Sequence, residues 1–401
     1  MIMTMMKSSN TEWLGDIPTE WDVAQIGNYY ELRNEKVSDY DFEPLSVTMK
    51  GIVPQLATAA KSDDHSNRKL VKKGDFVINS RSDRRGSCGI SPLDGSVSLI
   101  NTVMEPRGEM NPQYYNWLFH TEQFADEFYK WGHGIVDDLW TTRWQEMKKI
   151  LIVAPSPDEQ QAIADYLDET CSKIDEIIAE AKASIDEYKE LKQSIIFEAV
   201  TKGLDKNVDM RDSGVEWIGA IPKTWDVLSL KYMCTMQAGK NLISEQIADS
   251  GKYSVYGGNG LRGYYSSYNT EGRHLLVGRQ GALCGNVHDV DGQYWCTEHA
   301  IVTTETKFSD IDYLFYLLIG MNLNQYASNA AAQPGLSVGN ILNVKTVKPS
   351  MDEQKEIATY LKNILPKYNS LITEKESLIN DLEAYKKSLI YEVVTGKRRV
   401  V

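Results

Sequence analysis

Cysteine is scarce in this 401-residue chain, and the five that occur, at positions 88, 171, 234, 284 and 296, form no CxxC pair. That spacing argues against a zinc site or a disulfide framework and fits a reducing compartment. The six histidines are equally scattered, with no HxxxH pair to hold a metal. There is no GxxxxGK loop followed by Ser or Thr, which excludes a P-loop ATPase, and no GxSxG elbow for a hydrolase. Long apolar runs are missing too. Stretches such as LFYLLI fall far short of the roughly 20 residues of a membrane span. The opening MIMTMMKSSN holds no apolar stretch of signal-peptide length, so a cytoplasmic protein is expected.

An excess of positive charge is also lacking. The net charge is −13, which argues at first sight against nucleic acid. The acidity is uneven, however. Residues 157–208 carry 6 Lys+Arg against 13 Asp+Glu, whereas 23–154 carry 16 against 18 and 227–348 carry 9 against 9. A near-neutral domain can still present a basic face, so net charge does not decide the matter.

What the chain does contain is an internal repeat. EWLGDIPTEWDV at 12–23 returns as EWIGAIPKTWDV at 216–227, with eight of twelve positions identical. PSPDEQQAIADYL at 155–167 returns as PSMDEQKEIATYL at 349–361, and LKQSIIFEAVT at 191–201 as YKKSLIYEVVT at 385–395. The first pair is offset by 204 residues and the other two by 194. The order is therefore A–X–B–A′–Y–B′: a duplicated frame carrying two divergent inserts, X at about 24–154 and Y at about 228–348.

Each B segment opens with Pro-Ser and then Asp-Glu-Gln, a helix start whose acidic first turn suits the macrodipole. Apolar residues then recur at spacings of three, four and seven: Ile163, Leu167, Ile174, Ile178, Ile185, Tyr188 and Ile195 in the first copy. Ile357, Leu361, Leu365, Tyr368, Ile372, Ile379, Leu382, Leu389 and Val393 form the second. This is a coiled-coil seam. Gly203 and Gly396 are stop signals, and Pro366 predicts a kink near the start of the second helix. Two matched helices in one chain most simply pack on each other, and an antiparallel arrangement would relate the two halves by a pseudo-twofold axis. The tryptophans of the A segments then have a structural role against the helical frame.

X and Y read as short strands and glycine-rich turns. Both contain a strand running into an arginine-bearing loop, NSRSDRRG at 79–86 and GRQG at 278–281. Arginine, glutamine and asparagine on rigid turns suit base-edge and phosphate contacts, and glycine permits close backbone approach. The candidate DNA-binding residues are Arg81, Arg84, Arg85 and Ser87 in X, and Asn259, Arg262, Arg279 and Gln280 in Y. The tyrosines of Y (253, 256, 264, 265 and 268) are read mostly as core packing.

The layout resembles the specificity subunits of type I restriction-modification systems. EWIGAIPKTWDV, PSMDEQKEIATYL and LIYEVVTGK resemble that family's conserved segments, and YGGNGLRGYY and LVGRQGALCGNV resemble one kind of its recognition domains. X lacks a YGGNG phrase, which implies a different target for it. The resemblance implies an α+β protein with two α/β target recognition domains joined by two long antiparallel coiled-coil helices. The segments would be 1–154 and 209–348 for recognition, and 155–208 and 349–401 for the helices. It implies a non-catalytic subunit that reads a bipartite, asymmetric double-stranded DNA target. The helices would set the gap between its halves, and the frame would dock two methylation subunits and, in the full complex, restriction subunits. S-adenosylmethionine, ATP and magnesium would belong to those partners, and no cofactor is expected in this chain.

Two other readings compete. NPQYY at 111–115 is close to the NPPY motif of amino-methyltransferases, which would make the chain a fused methyltransferase. Its third residue is Gln, and no glycine-rich cofactor loop precedes it, so Asn111-Pro112 is read as a helix start. The Asp137-Asp138 run is read as a solvated turn rather than a metal site. The third reading, a coiled-coil protein adaptor, would show no sequence-selective affinity for DNA.

Overall fold

The computed structural model describes residues 5–58, 65–81, 84–134, 140–281, 284–327 and 335–400. Backbone packing divides the chain into two compact units, Met1–Ala181 with Ser377–Val401, and Lys182–Glu376. The insert 24–154 lies in the first unit and 228–348 in the second, while each long helix is shared out between the two.

Both units repeat one connectivity. In the first, a four-stranded antiparallel sheet has the order Cys88–Ile90, Phe76–Asn79, Asn101–Pro106, Tyr30–Leu32. In the second, Val287–Val290, His274–Gly278, Ala300–Glu305 and Cys234–Ala238 follow the same order. The central strands are buried along nearly their whole length (FVIN, HLLVG) because both faces are covered. The second sheets differ. The first unit has three strands and a separate hairpin, Leu45–Thr48 with Gly51–Pro54. The second unit has four strands, with Tyr253–Gly257 parallel to Gln293–Cys296. In each unit the strand entering the insert pairs with the strand leaving it: Asp22–Gln25 with Leu151–Ala154, and Asp226–Ser229 with Lys345–Lys348. The ends of each insert are thereby fixed beside each other.

The long helices span Pro157–Lys202 and Met351–Val394, the second running through Pro366 as one element. Each starts with a capping box: Ser156 and Ser350 exchange side-chain and backbone hydrogen bonds with Glu159 and Glu353, three residues on. The buried Gln160 and Gln354 that follow tie the insert to the frame. Their side-chain oxygens accept from the amides of Asn111 and Asp310, both at 2.8 Å. From there the seam keeps a strict alternation of four and three residues, through Ala164, Leu167, Cys171, Ile174, Ile178, Ala181 and Ile185, all buried. Cys171 and Ala181 belong to this seam although periodic large apolar residues do not mark them. Near its end, Ile196 rather than Ile195 is buried.

Within each unit the helices run antiparallel. In the first, Lys386 donates to both carboxylate oxygens of Asp175 at 2.7 Å, while Arg399, past the end of the second helix, reaches Glu159 at the start of the first. In the second, Lys192 donates to Asn369, and Tyr188 lies 6.4 Å from Tyr368.

The repeated tryptophans lock these ends together. Trp21 donates its indole N–H to Glu159 at 3.2 Å, and Trp225 donates to Glu353 at 2.9 Å. Burial opposes ionisation of Glu353, but the donors Trp225 and Ser350 outweigh it and hold its carboxyl below the usual range. Each tryptophan also packs on the glycine that ends the other helix. A Cβ on Gly203 would lie 3.2 Å from Trp225, and one on Gly396 would lie 2.5 Å from Pro18 and 3.0 Å from Trp21. The hydroxyls of the buried Tyr114 and Tyr313 donate to the carbonyls of Val394 and Val200, at 2.7 and 3.1 Å, groups that a helix C-terminus leaves without an intrahelical donor.

Gly396 adopts φ +71° against a crowded neighbour, whereas Gly108 adopts φ +75° with nothing within 4 Å. Gly108→Ala is therefore predicted to cost about 1–2 kcal/mol from the left-handed backbone alone. Gly396→Ala should cost about 1–3 kcal/mol more through overpacking. Urea unfolding of the two variants checks the order, and equal losses would remove the contact from the account.

Candidate nucleic-acid interface

In the second unit the four predicted residues converge. The hairpin Tyr253–Gly257 and Gly260–Tyr265 turns through Gly258-Asn259. A Cβ on Gly258 would stand 2.9 Å from the carbonyl oxygen of His299 and 3.6 Å from that of Gln280. The YGGNG turn therefore lies directly on the GRQG loop, and glycine is what permits that approach. The stem of Arg262 crosses Gly257, with its Cδ 2.6 Å from where a Cβ would be. The amide of Arg279 donates to the His299 carbonyl at 2.8 Å. Asn259, Arg262 and Gln280 are exposed and Arg279 is half-buried, so one surface presents all four.

Sequence reasoning missed Glu298 and His299, which complete this surface. His299 Nδ1 is 2.9 Å from the Gln280 side-chain oxygen, and its Nε2 is 3.3 Å from Glu298. The pairing of Gly278 with Ala300 brings them beside the loop, and no local pattern signals it. The Thr297 hydroxyl and the second Glu298 oxygen are buried with no partner among the described residues. His288, whose ring is 3.3 Å from a Cβ on Gly260, is pushed by burial toward its neutral form. The nearby tyrosines are less buried than expected. Tyr256 packs on a small core, but Tyr253, Tyr264 and Tyr265 are half-exposed and Tyr268 is exposed.

In the first unit the arginine loop leaves the equivalent strand end, since Asn79 opposite Asn101 matches Gly278 opposite Ala300. Arg81 and Arg84 are exposed. The Arg81 amide is held by Asn79 at 3.0 Å, and its backbone bridges to Thr141. Arg85 is turned back onto the helix Glu122–Lys130, 2.5 Å from Asp126 and 4.5 Å above the Tyr129 ring. A DNA contact by Arg85 would have to compete with that pair. Ser87 is buried, its amide bonded to the Arg84 carbonyl at 3.1 Å, and it shapes the turn rather than facing solvent.

NPQYY is a helix start: Asn111 accepts from the amides of Gln113 and Tyr114, and Pro112 is the first helical residue. Tyr114 and Tyr115 are fully buried, so this motif offers no stacking surface to a flipped base. Asp137 and Asp138 lie outside the described residues. Among the described residues no group of three or more His, Cys, Asp or Glu could hold a metal ion, and no helix is long and apolar enough to cross a membrane. All five cysteines are free and buried.

Comparison with known proteins agrees with this architecture. The family model of the type I restriction modification DNA specificity domain matches residues 222–381. The EcoprrI specificity subunit of Escherichia coli is 45% identical over 140 residues, a match spanning 34% of this chain and 34% of that one. The MjaVIII specificity subunit of Methanocaldococcus jannaschii is 24% identical with 100% of this chain and 98% of its own length covered. The fold is shared with a chain solved in work on complex assembly and conformational transition of the type I R-M system, with TM-score 0.74, 14% identity and 95% and 99% of the two chains covered. It is shared also with the HsdS subunit from Thermoanaerobacter tengcongensis, with TM-score 0.51, 14% identity and 98% and 100% covered. Residues 222–381 thus match the type I restriction modification DNA specificity domain, and over its full length the chain is similar to type I specificity subunits.

The close approach of Gly258 to the His299 carbonyl seats the turn on the loop. Gly258→Val is predicted to lift the turn off the loop. Faster amide exchange confined to 257–262 and 278–281, with little change in melting temperature, is the expected result.

Proposed function

We propose that this chain is the non-catalytic DNA-reading subunit of a cytoplasmic type I restriction-modification complex. Each unit reads one half of a bipartite, asymmetric double-stranded target. Arg81 and Arg84 contact the first half. Asn259, Arg262, Arg279 and Gln280 contact the second. The paired helices set the gap between halves and carry two methylation subunits, with restriction subunits joining in the full complex. S-adenosylmethionine, ATP and magnesium act in those partners. The observation that carries the reading is one connectivity built twice, with unlike polar loops at the same strand end: Asn79–Arg84 in one unit and Gly278–Gln280 in the other. A duplicated frame with unlike loops suits two different half-sites, and the named relatives support the assignment. A fused methyltransferase is disfavoured because the Asn-Pro-Gln-Tyr-Tyr stretch is spent on a helix cap and core packing.

Co-expression with a methylation subunit from the same source, followed by methylome sequencing, tests the proposal. One bipartite motif with a fixed gap is expected, and methylation by this chain alone would overturn it. In binding assays, Arg84→Ala should weaken recognition of one half and Arg279→Ala of the other, each by about 1–3 kcal/mol if a base contact is lost. Equal loss at both halves from either change would refute the division of labour. Inserting one helical turn near Ala181, with a matched turn in the second helix, should lengthen the tolerated gap and leave both half-site sequences unchanged.

A further inference from the structure

The two units anchor their arginine loops by the same backbone bond. The Arg279 amide donates to the carbonyl of His299 at 2.8 Å, and the Ser80 amide donates to the carbonyl of Ile100 at 3.2 Å. Since Gly278 opposite Ala300 matches Asn79 opposite Asn101, His299 answers to Ile100, Glu298 to Leu99 and Gln280 to Arg81. The bond is also made by an isoleucine, so the fold does not ask for an imidazole at this place. What the second unit has and the first lacks is a polar relay from Glu298 through His299 to Gln280.

The relay has a polarity. A carboxylate only accepts hydrogen bonds, so the His299 Nε2 that lies 3.3 Å from Glu298 carries a hydrogen. His299 Nδ1 lies 2.9 Å from Gln280 Oε1, which also only accepts, so Nδ1 carries one too. Both contacts are attractive together only in the imidazolium. Glu298 supplies the counter-charge: among the described residues its one ion-pair partner is His299, and its second oxygen is buried without a partner. The neutral arrangement, with the Gln280 amide turned to donate to Nδ1, would leave that carboxylate without a cation. The root of Gln280 is fixed as well. Its backbone bridges to Gly335, and a Cβ on Gly335 would lie 3.9 Å from its Cγ. The Gln280 oxygen is thus drawn onto His299, and the NH2 group of this exposed residue is the end left for a ligand.

We propose that His299 is a positioning residue that makes Gln280 a hydrogen-bond donor toward DNA, and that the second unit accordingly reads a guanine there. The inference rests on the functional reading above and adds the base read at one point of one half-site. A free glutamine amide recognises adenine, its oxygen accepting from N6 and its NH2 donating to N7. With the oxygen engaged by His299, the adenine N6 donor meets no acceptor, and an unpaired donor is costly. Guanine offers two acceptors side by side in the major groove, O6 and N7, and the NH2 group suits both. Thymine offers one, O4, beside its methyl group. In the first unit the matching place holds Arg81, whose side chain only donates, above an isoleucine that has no hydrogen bond to give.

The test uses the full-length chain co-expressed with a methylation subunit from the same source. Methylome sequencing gives the wild-type motif, and Gln280→Ala marks the base pair that Gln280 reads as the one that becomes degenerate. That pair should be G·C. Binding of the assembled complex to four duplexes that differ only at that pair then gives the preference. Wild type should favour G·C over A·T by about fivefold or more. His299→Ile, which places the first unit's residue at the matching position, should bring the two within about twofold and leave the rest of the motif unaltered. His299→Asn, which retains a side-chain N–H, should restore part of the preference. A degenerate A·T pair in Gln280→Ala, or no degenerate pair, would refute the proposal. So would a His299→Ile chain that melts normally but keeps the wild-type preference, or that loses affinity equally for all four duplexes. Should His299→Ile fail to fold, the pair marked by Gln280→Ala and the preference of His299→Asn still decide. A wild-type chain that directs no bipartite motif would instead sink the functional reading itself.

Discussion

Each unit is closed by a tryptophan that touches the beginning of one long helix and the end of the other. Trp21 donates to Glu159 and packs against Gly396, and Trp225 donates to Glu353 and packs against Gly203. A coiled-coil stripe is narrow and similar registers compete, so contacts at the helix ends help to fix one register. The buried indoles, each with its N–H satisfied by a carboxylate of a capping box, select one register. The tyrosine hydroxyls on the last carbonyls of Val394 and Val200 add a second, polar check at the opposite helix end. The insert hangs from this joint through a strand pair that brings its entry and exit together.

A frame with fixed ends leaves the rest of each insert free to vary. The central sheet keeps its order in both units, while the second sheet and the loops diverge. That division suits a reader of DNA. Base-edge recognition demands donors and acceptors held to within a fraction of an ångström, and loops anchored at the ends of a buried sheet provide that. The second interface illustrates it: three segments distant in sequence meet at the His299 carbonyl, one by a hydrogen bond and another by a contact only glycine allows. The first interface is different in kind, because Arg85, although exposed, is already engaged by Asp126 and Tyr129.

The duplication also leaves corresponding positions on the long helices that have drifted in charge. At the seam positions a lysine faces an aspartate in one unit and an asparagine in the other. An ion pair with an exposed carboxylate contributes little net stability, so that carboxylate can be replaced by a neutral amide without harm to the fold. What changes is the electrostatic field on that face of the helix pair.

The repeat, the long helices, their acidic first turns and the terminal glycines were legible in the sequence, because each is a local pattern with a fixed period or spacing. So was the reading of Asn111-Pro112 as a cap, since capping depends on residues two and three positions away. The arginine and glycine loops were legible as candidates but not as geometry. That Ser87 is enclosed, that Arg85 is bound to a helix some forty residues on, and that Glu298 and His299 join the GRQG loop all follow from strand pairing, which no local pattern encodes. The purpose of the repeated tryptophans was likewise decided by tertiary structure alone. Each bonds a glutamate more than a hundred residues away, and only the folded chain brings a helix start, a helix end and an indole to one point.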